Sequence, residues 1–389
     1  MKQESKKRTK LTRFPLVSII IPAHNEENTI AGTIESVLKL NYPRDKVEII
    51  IINDGSTDDT KKNIEKITHS NRNRKIIFID QKNQGKAKSL NNALKIAKGE
   101  FFACLDADSF VEKNTLIKMI KFYNQNPHLA IVTPAMRVKD PKTLTQKFQR
   151  LEYLASMFMA RLMGLLDVVY VAPGPFSLYR SKIIKKLGGF DINNLTEDQE
   201  IAYRVQKHHY GIKQCYNAYV HTTAPHNIKG LYKQRNRWFK GSMINLYKYK
   251  QLFFNKKYGD FGMLQLPINL ATYILSVCAI FFFGYFTFKP LFREIHNIYL
   301  INFDLLHYIR SIDFNFNILG LDLGMMFIAY TLFFAALIVF YLSHKNTDEK
   351  IRKHGIIYII FYFFFYYTML SVISVIVLIQ LIFGVRQKW

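Results

Sequence analysis

VSIIIPAHNEE (Val17–Glu27) is an apolar run that turns polar at its end, and the pattern recurs three more times. VEIIII (Val47–Ile52) leads into NDGSTDD, KIIFI (Lys75–Ile79) into DQKNQGKAKS, and FFACL (Phe101–Leu105) into DADS. Between these runs lie stretches of helical spacing. One spans about Asn25 to Leu40, with Ile30, Ile34, Val37 and Leu38 on one side; another would be capped by Ser56 or Thr57; a third covers Lys86 to Ala97. Strands this apolar, alternating with helices, predict an α/β domain with a mostly parallel sheet buried on both faces. Ligands on such sheets bind at the carboxyl ends of the strands. The first turn lacks G-x-G-x-x-G, which argues against a dinucleotide site.

Those ends carry the chemistry. Taken alone, Asp54 and Asp58 read first as turn and cap residues and only second as site acids, and Lys86, after Gly85, equally as a site cation or a solvated first-turn residue. LDADS is more specific. Asp106 and Asp108 leave an apolar strand two residues apart, so their charges would face one another. Mg²⁺ or Mn²⁺ relieves such repulsion and keeps places for phosphate oxygens. Further on, Thr196-Glu197-Asp198 opens a helix with Thr196 at a cap position. His221 and His226 flank TTAP and are read as polar loop residues, not metal ligands.

Charge is uneven along the chain. Residues 261–389 hold nine Lys/Arg against six Asp/Glu, which leaves 45 against 23 in residues 1–260. Such a basic field attracts nucleic acid, anionic lipid or nucleotide diphosphates alike. The distal third is apolar. Runs at 262–288, 318–343 and 355–384 each exceed the ~20 residues a membrane span needs, and the second carries only Asp322 near its start. Lys345, Lys350, Arg352 and Lys353 between the second and third runs mark that loop as cytoplasmic, which puts residues 1–260 there too and 289–317 outside. The basic tail 1–16 has no apolar core, so no signal peptide is expected, and no span precedes Val17. The cysteines, Cys104, Cys215 and Cys278, have neither disulfide nor zinc spacing.

Two basic segments border the apolar third. In 142–166, Leu144, Phe148, Leu151, Phe158 and Leu162 share a helical face that Lys147, Arg150 and Arg161 interrupt. This suits either a helix at the membrane interface or an ordinary amphipathic core helix. YKQRNRWFKG (Tyr232–Gly241), in a second interface segment near 229–250, places Gln234, Arg237 and Trp238 on one helical face. Lys233 and Lys240 are left to meet anionic lipid heads.

Taken in order, IPAHNEE, NDGS, QGKAKSLN, DAD, PGPFSLYR, TED and QRNRW resemble family 2 glycosyltransferases of the GT-A fold. The resemblance runs from about Val17 to Tyr247. It is strongest to the membrane-embedded branch of hyaluronan, chitin, cellulose and poly-N-acetylglucosamine synthases. It implies a GT-A domain over 17–247 and a transmembrane region over 262–384. It further implies inverting transfer of a sugar from a nucleotide-sugar donor to a hydroxyl of a glycan or lipid-linked acceptor. Nucleic acid is excluded as a partner, and UDP is favoured over GDP by the synthase-like motifs.

The resemblance also assigns roles. Pro22, Ala23, Asn25 and Glu26, with Asp54, would hold the base and ribose; Asn53 replaces the usual paired acid, so Asp54 carries that role alone. Lys86 would approach the diphosphate, Asp106 the nucleotide sugar, and Asp108, with Asp106, a Mg²⁺ or Mn²⁺ ion. Asp198 would be the general base, supported by Glu197. Gly174 and Pro175 of PGPFSLYR would lie beneath the acceptor, whose sugar Trp238 would meet. Gln234 and Arg237 would bind the diphosphate. Three spans give little material for a polysaccharide channel. Either a homo-oligomer builds one, or the enzyme transfers one or few sugars to a lipid-linked acceptor. A non-catalytic scaffold would be expected to have lost motif acids, and only Asn53 departs.

Overall fold

Strand β1 (Val17–Ala23) lies parallel to β2 (Val47–Asp54) over its whole length, Val17 opposite Val47 and Ala23 opposite Asn53, and every residue of both is buried. In this computed structural model residues 11, 13–304, 306, 323–347 and 349–385 are described. Beside them, β3 (Ile76–Gln81) and β4 (Phe101–Cys104) extend the parallel half, so that all four apolar runs become strands. Full burial follows from helices on both faces, and the side chains alternate as a period of two requires. Ile19, Ile21, Ile49 and Ile51 pack with Ile30 and Ile34 of α1 (Ile30–Leu38). Ile20, Ile50, Ile52 and Phe102 pack on the other face, with Leu90 and Leu94 of α3 (Lys86–Ile96). Between α1 and α3 in the chain lies α2 (Thr60–Ser70), which starts later than its predicted cap; Asp59 occupies the cap position and makes no side-chain cap bond.

The sheet does not end at β4. It has eight strands in the order β3-β2-β1-β4-β7-β6-β8-β5. The added strands are β5 (Ser109–Val111), β6 (Leu129–Val138), β7 (Ser177–Arg180) and β8 (Gly211–Thr222). β7 runs antiparallel to both β4 and β6, and β5 antiparallel to β8, so the sheet is mixed. Helix α4 (Thr115–Gln125) joins the core with Leu116, Met119 and Ile120.

Helix α5 (Leu144–Leu165) begins with a capping box between Thr143 and Gln146. Its predicted apolar face is largely spent within the domain: Phe148, Leu151 and Phe158 are buried, and Leu154 and Met157 pack on Ala135 and Tyr219 of the sheet. Packing on the sheet accounts for most of that face, and Leu144 at its end is exposed. After β7 come α6 (Ser181–Lys186), α7 (Glu197–Lys207) and the long α8 (Ile228–Lys248).

The chain divides into two units, residues 1–269 with 384–389, and residues 270–383. In the distal part, three helices among the described residues are long and apolar enough to cross a membrane: Phe261–Leu300, Met326–Thr347 and Ile356–Ile382. The first continues well past the predicted end at 288, through Lys289, Pro290, Arg293 and Glu294. Charge marks where a helix stops being apolar, whereas its backbone bonds propagate as long as residues tolerate the geometry. Residues 289–300 of the predicted outer loop at 289–317 are therefore helical. Asp322, the start of the second run at 318–322, most of the basic tail and residues 386–389 lie outside the described residues.

Candidate active site

The polar turns predicted to meet do so at the carboxyl ends of β1, β2 and β4. Pro22 and Ala23 are the last residues of β1 and are buried, opposite Ile52 and Asn53. The chain then turns at Asn25, a non-glycine residue at φ 55°. Its amide oxygen accepts from the Thr57 N–H at 2.8 Å, its own N–H donates to Ser56 Oγ at 3.1 Å, and the Glu26 N–H donates to Thr60 Oγ1 at 2.7 Å. The first two turns are thus one hydrogen-bonded unit. Glu26 is partly buried; desolvation raises its carboxyl above the ordinary range despite the Thr29 hydroxyl that donates to it at 2.6 Å.

Asp54 is buried, and its carboxylate accepts from Gln81 Nε2 at 2.7 Å, the Gln84 N–H at 3.0 Å and the Gly85 N–H at 2.9 Å. In this structure it shapes the loop that begins α3. Gly85 takes φ +86° there, a conformation that favours glycine, and the next residue is Lys86. Asn53 donates to Asp80 Oδ1 at 2.7 Å, which gives the amide at this position a local partner that a second carboxylate would repel.

Lys86 joins two motifs distant in sequence. Its ammonium lies 2.6 Å from Asp106 Oδ1 and 3.0 Å from Glu197 Oε1. Burial alone would lower its pKa, but Asp106, Glu197 and Asp198 outweigh this and hold it protonated above the usual lysine range. Asp108 is pushed up to about 7 by burial, then by repulsion from Asp106. Its Oδ1 accepts from Ser109 Oγ at 2.9 Å. Asp198 is raised to about 6, by burial first and Glu197 second, while Lys86 and then Arg237 pull it down. Gly174 packs beneath: a Cβ there would meet Asp106 Oδ2 at 2.5 Å and Lys86 Nζ at 2.8 Å. Pro175 is buried beside it, and Phe176 adopts φ 60° while its N–H donates to the Cys104 carbonyl at 2.6 Å.

Among the described residues no three His, Cys, Asp or Glu side chains form a metal cluster. A pair of repelling carboxylates still suits Mg²⁺ or Mn²⁺, which binds through one or two carboxylates and takes its remaining oxygens from phosphates and water. Asp106 already carries the Lys86 ammonium, which leaves Asp108 as the stronger protein donor. His221 pairs with Glu112 at 3.1 Å and His226 with Asn227 at 3.1 Å, so neither joins the site.

On α8, Gln234, Arg237 and Trp238 are all partly exposed, and Arg237 is within electrostatic reach of Asp198. The sequence did not single out Arg235, yet it is the most deeply buried cation of the motif. It is 1% exposed and paired with Glu152 of α5; its guanidinium lies 4.2 Å from the Trp238 ring centroid, and it donates to Gln234 Oε1 at 3.0 Å. No spacing signals this, because Glu152 lies 83 residues away in sequence. Lys240 also departs from expectation. It is 3% exposed and donates to the Val385 carbonyl at 3.2 Å, so it is not available to lipid heads, whereas Lys233 is exposed. Thr196 does not cap α7 with its side chain.

Comparison with known proteins accords with this geometry. The model for Glycosyl transferase family 2 matches residues 18–188. Poly-beta-1,6-N-acetyl-D-glucosamine synthase of Staphylococcus epidermidis is 34% identical over 227 residues, covering 58% of this chain and 54% of the relative. The synthase of that name from Staphylococcus aureus strain MSSA476 is 35% identical over 228 residues, with the same coverage, 58% and 54%. The chain thus spans about half the length of these curated relatives. Among solved structures, a mannosyltransferase from Pyrobaculum calidifontis in complex with GDP-Man and Mn²⁺ superposes with a TM-score of 0.59 at 17% identity, covering 96% of this chain and 89% of that one. That likeness establishes the fold. Residues 18–188, which hold five of the seven motifs, match the glycosyl transferase family 2 domain.

Proposed function

We propose that this protein is a membrane-embedded, inverting hexosyltransferase that transfers N-acetylglucosamine from a UDP donor to a hydroxyl of a growing glycan. The observation that carries this is the cluster in which Lys86 pairs with Asp106 and Glu197 while the charges of Lys86 and Arg237 both act on Asp198. The choice of sugar follows the staphylococcal relatives, which are poly-beta-1,6-N-acetyl-D-glucosamine synthases. The three long apolar helices support anchoring in the cell membrane, and the basic loop after the second supports a cytoplasmic catalytic domain.

The donor base and ribose lie against the Pro22–Glu26 turn, over the loop that Asp54 fixes. Asp108, with Asp106 beside it, would hold a divalent cation, whose charge would stabilise the diphosphate. Arg237 and Lys86 add fixed positive charge on the same group, and Gln234 a neutral donor. The acceptor hydroxyl lies over Gly174 and Pro175, with its sugar against Trp238. Asp198 takes the hydroxyl proton as its oxygen bonds to the anomeric carbon, and the bond from that carbon to the diphosphate breaks with the electron pair leaving on UDP. One displacement inverts the anomeric centre. Glu197 keeps Lys86 in place and makes the proton more welcome on Asp198.

Three long apolar helices among the described residues are few for a channel, so export of a polymer would call for a homo-oligomer. The test incubates membranes containing the full chain with a panel of radiolabelled nucleotide sugars and Mg²⁺ or Mn²⁺, then sorts the product by size. Long polymer from UDP-N-acetylglucosamine is expected. An organic-extractable product carrying one sugar would instead establish transfer to a lipid-linked acceptor. No turnover with any donor would overturn the enzyme reading.

A further inference from the structure

Arg237, Gly241 and Asn245 stand four residues apart on α8, so they form one stripe of the helix. At its start the stripe reaches Asp198 through the charge of Arg237. One turn later Gly241 abuts Thr196: a Cβ there would lie 2.4 Å from its Oγ1 and 2.5 Å from its Cγ2. One turn further, Asn245 is fully buried, and its amide is spent on the same turn of chain. Its Oδ1 accepts from Asn194 Nδ2 at 2.7 Å, and its Nδ2 donates to Thr196 Oγ1 at 3.1 Å and to Gln199 Oε1 at 3.1 Å. Asn194 Oδ1 in turn accepts from the Thr196 N–H at 3.0 Å, and Gln199 Nε2 donates to Ser242 Oγ at 3.1 Å.

This explains why Thr196 leaves its cap position unserved. The turn Asn194–Gln199 is clamped sideways onto α8, with Glu197 and Asp198 in the middle of the clamped segment. We propose that Asn245, with Gly241, is a positioning residue that holds the turn carrying the general base onto α8. It makes the helix that meets the diphosphate and the acceptor the same rigid body that aims the base. This rests on the transferase reading above. Buried amides with all partners satisfied specify one arrangement, and removing one member releases the turn while Lys86 keeps its 2.6 Å pairing with Asp106. A misplacement of about 1 Å in an aligned site costs roughly 100-fold in rate.

The test uses the full chain in membranes with UDP-N-acetylglucosamine, comparing wild type, Asn245→Ala, Thr196→Val and Thr196→Ser. For Asn245→Ala and Thr196→Val, kcat is expected to fall between about tenfold and 100-fold with donor KM unchanged. Thr196→Ser, which keeps the hydroxyl, retains near wild-type kcat, and the Asn245→Ala/Thr196→Val double variant is no worse than either single one. Should Asn245→Ala fail to fold, the Thr196 pair carries the same comparison. Unchanged kcat in the Asn245 and Thr196→Val variants would overturn the proposal, as would a parallel loss of donor affinity. Amide exchange over residues 194–199 separates this from failure of the transferase reading. Loss of protection in Asn245→Ala supports the clamp even if wild type transfers no sugar, and unchanged protection overturns it.

Discussion

At the residue scale, Asp198 and Lys86 define each other's protonation. Desolvation and Glu197 raise Asp198, and Lys86 is the leading influence that restrains it to about 6. In the proposed role of general base Asp198 would work deprotonated, so transfer should be full above that value and fall as pH drops through about 6. Removing Lys86 takes away a charge that favours the carboxylate. Lys86→Met should therefore move the acid limb of kcat to higher pH, measured by initial rates across pH 5 to 8; an unmoved limb would count against the pairing. Asp198→Asn should lower kcat by roughly 10²–10⁴-fold while UDP affinity, read by calorimetry, is kept. Loss of UDP affinity would contradict its role as base. The stability sign is opposite to that of a salt-bridged aspartate. A folded-state pKa above the ordinary value means the carboxyl adds stability when protonated, and that contribution is lost as pH rises through about 6.

At the scale of elements, α5 and α8 are locked by Glu152 and Arg235, whose side chains are 21% and 1% exposed. Removing one partner of a buried ion pair strands a charge in low dielectric. Glu152→Ala should cost roughly 3 kcal/mol of stability, seen as a lowered Tm. Arg235→Lys tests something else, because lysine keeps the charge but loses the planar group 4.2 Å from the Trp238 ring centroid. Its expected signature is a higher acceptor KM with donor KM unchanged; equal effects on both would place Arg235 outside acceptor binding. The predicted face of Gln234, Arg237 and Trp238 was legible because helical spacing is local. The residue that orders it was not, since its partner arrives from another helix.

At the scale of the whole molecule, the site is a stored electrostatic conflict. Asp106 and Asp108 repel at the end of β4, and burial deepens the cost. Mg²⁺ or Mn²⁺ should therefore raise Tm, by about 2–4 °C per kcal/mol of binding linkage. Asp108→Asn should raise the cation-free Tm and abolish the cation-dependent increase, while transfer is lost. An undiminished cation effect in that variant would move the metal elsewhere.

Sequence by itself determined the parallel half of the sheet, the polar turns at its carboxyl ends and the three apolar helices. Each of these rests on local periodicity or on the length of an uninterrupted run, which β1, β2 and the run at 355–384 display without reference to the rest of the chain. It also placed Asp106, Asp108, Glu197 and Asp198 as candidates, because motif order survives in one dimension. Only the tertiary structure decided that Lys86 bridges Asp106 and Glu197, that Asp54 spends its carboxylate on the loop before α3, and that Lys240 is buried rather than facing lipid. The antiparallel strand β7 and the clamp of Asn245 on Thr196 belong to the same class. Hydrogen bonds and ion pairs act over about 3 Å in space, whatever the separation along the chain. No pattern along the chain records which distant residues the sheet and α8 will bring that close.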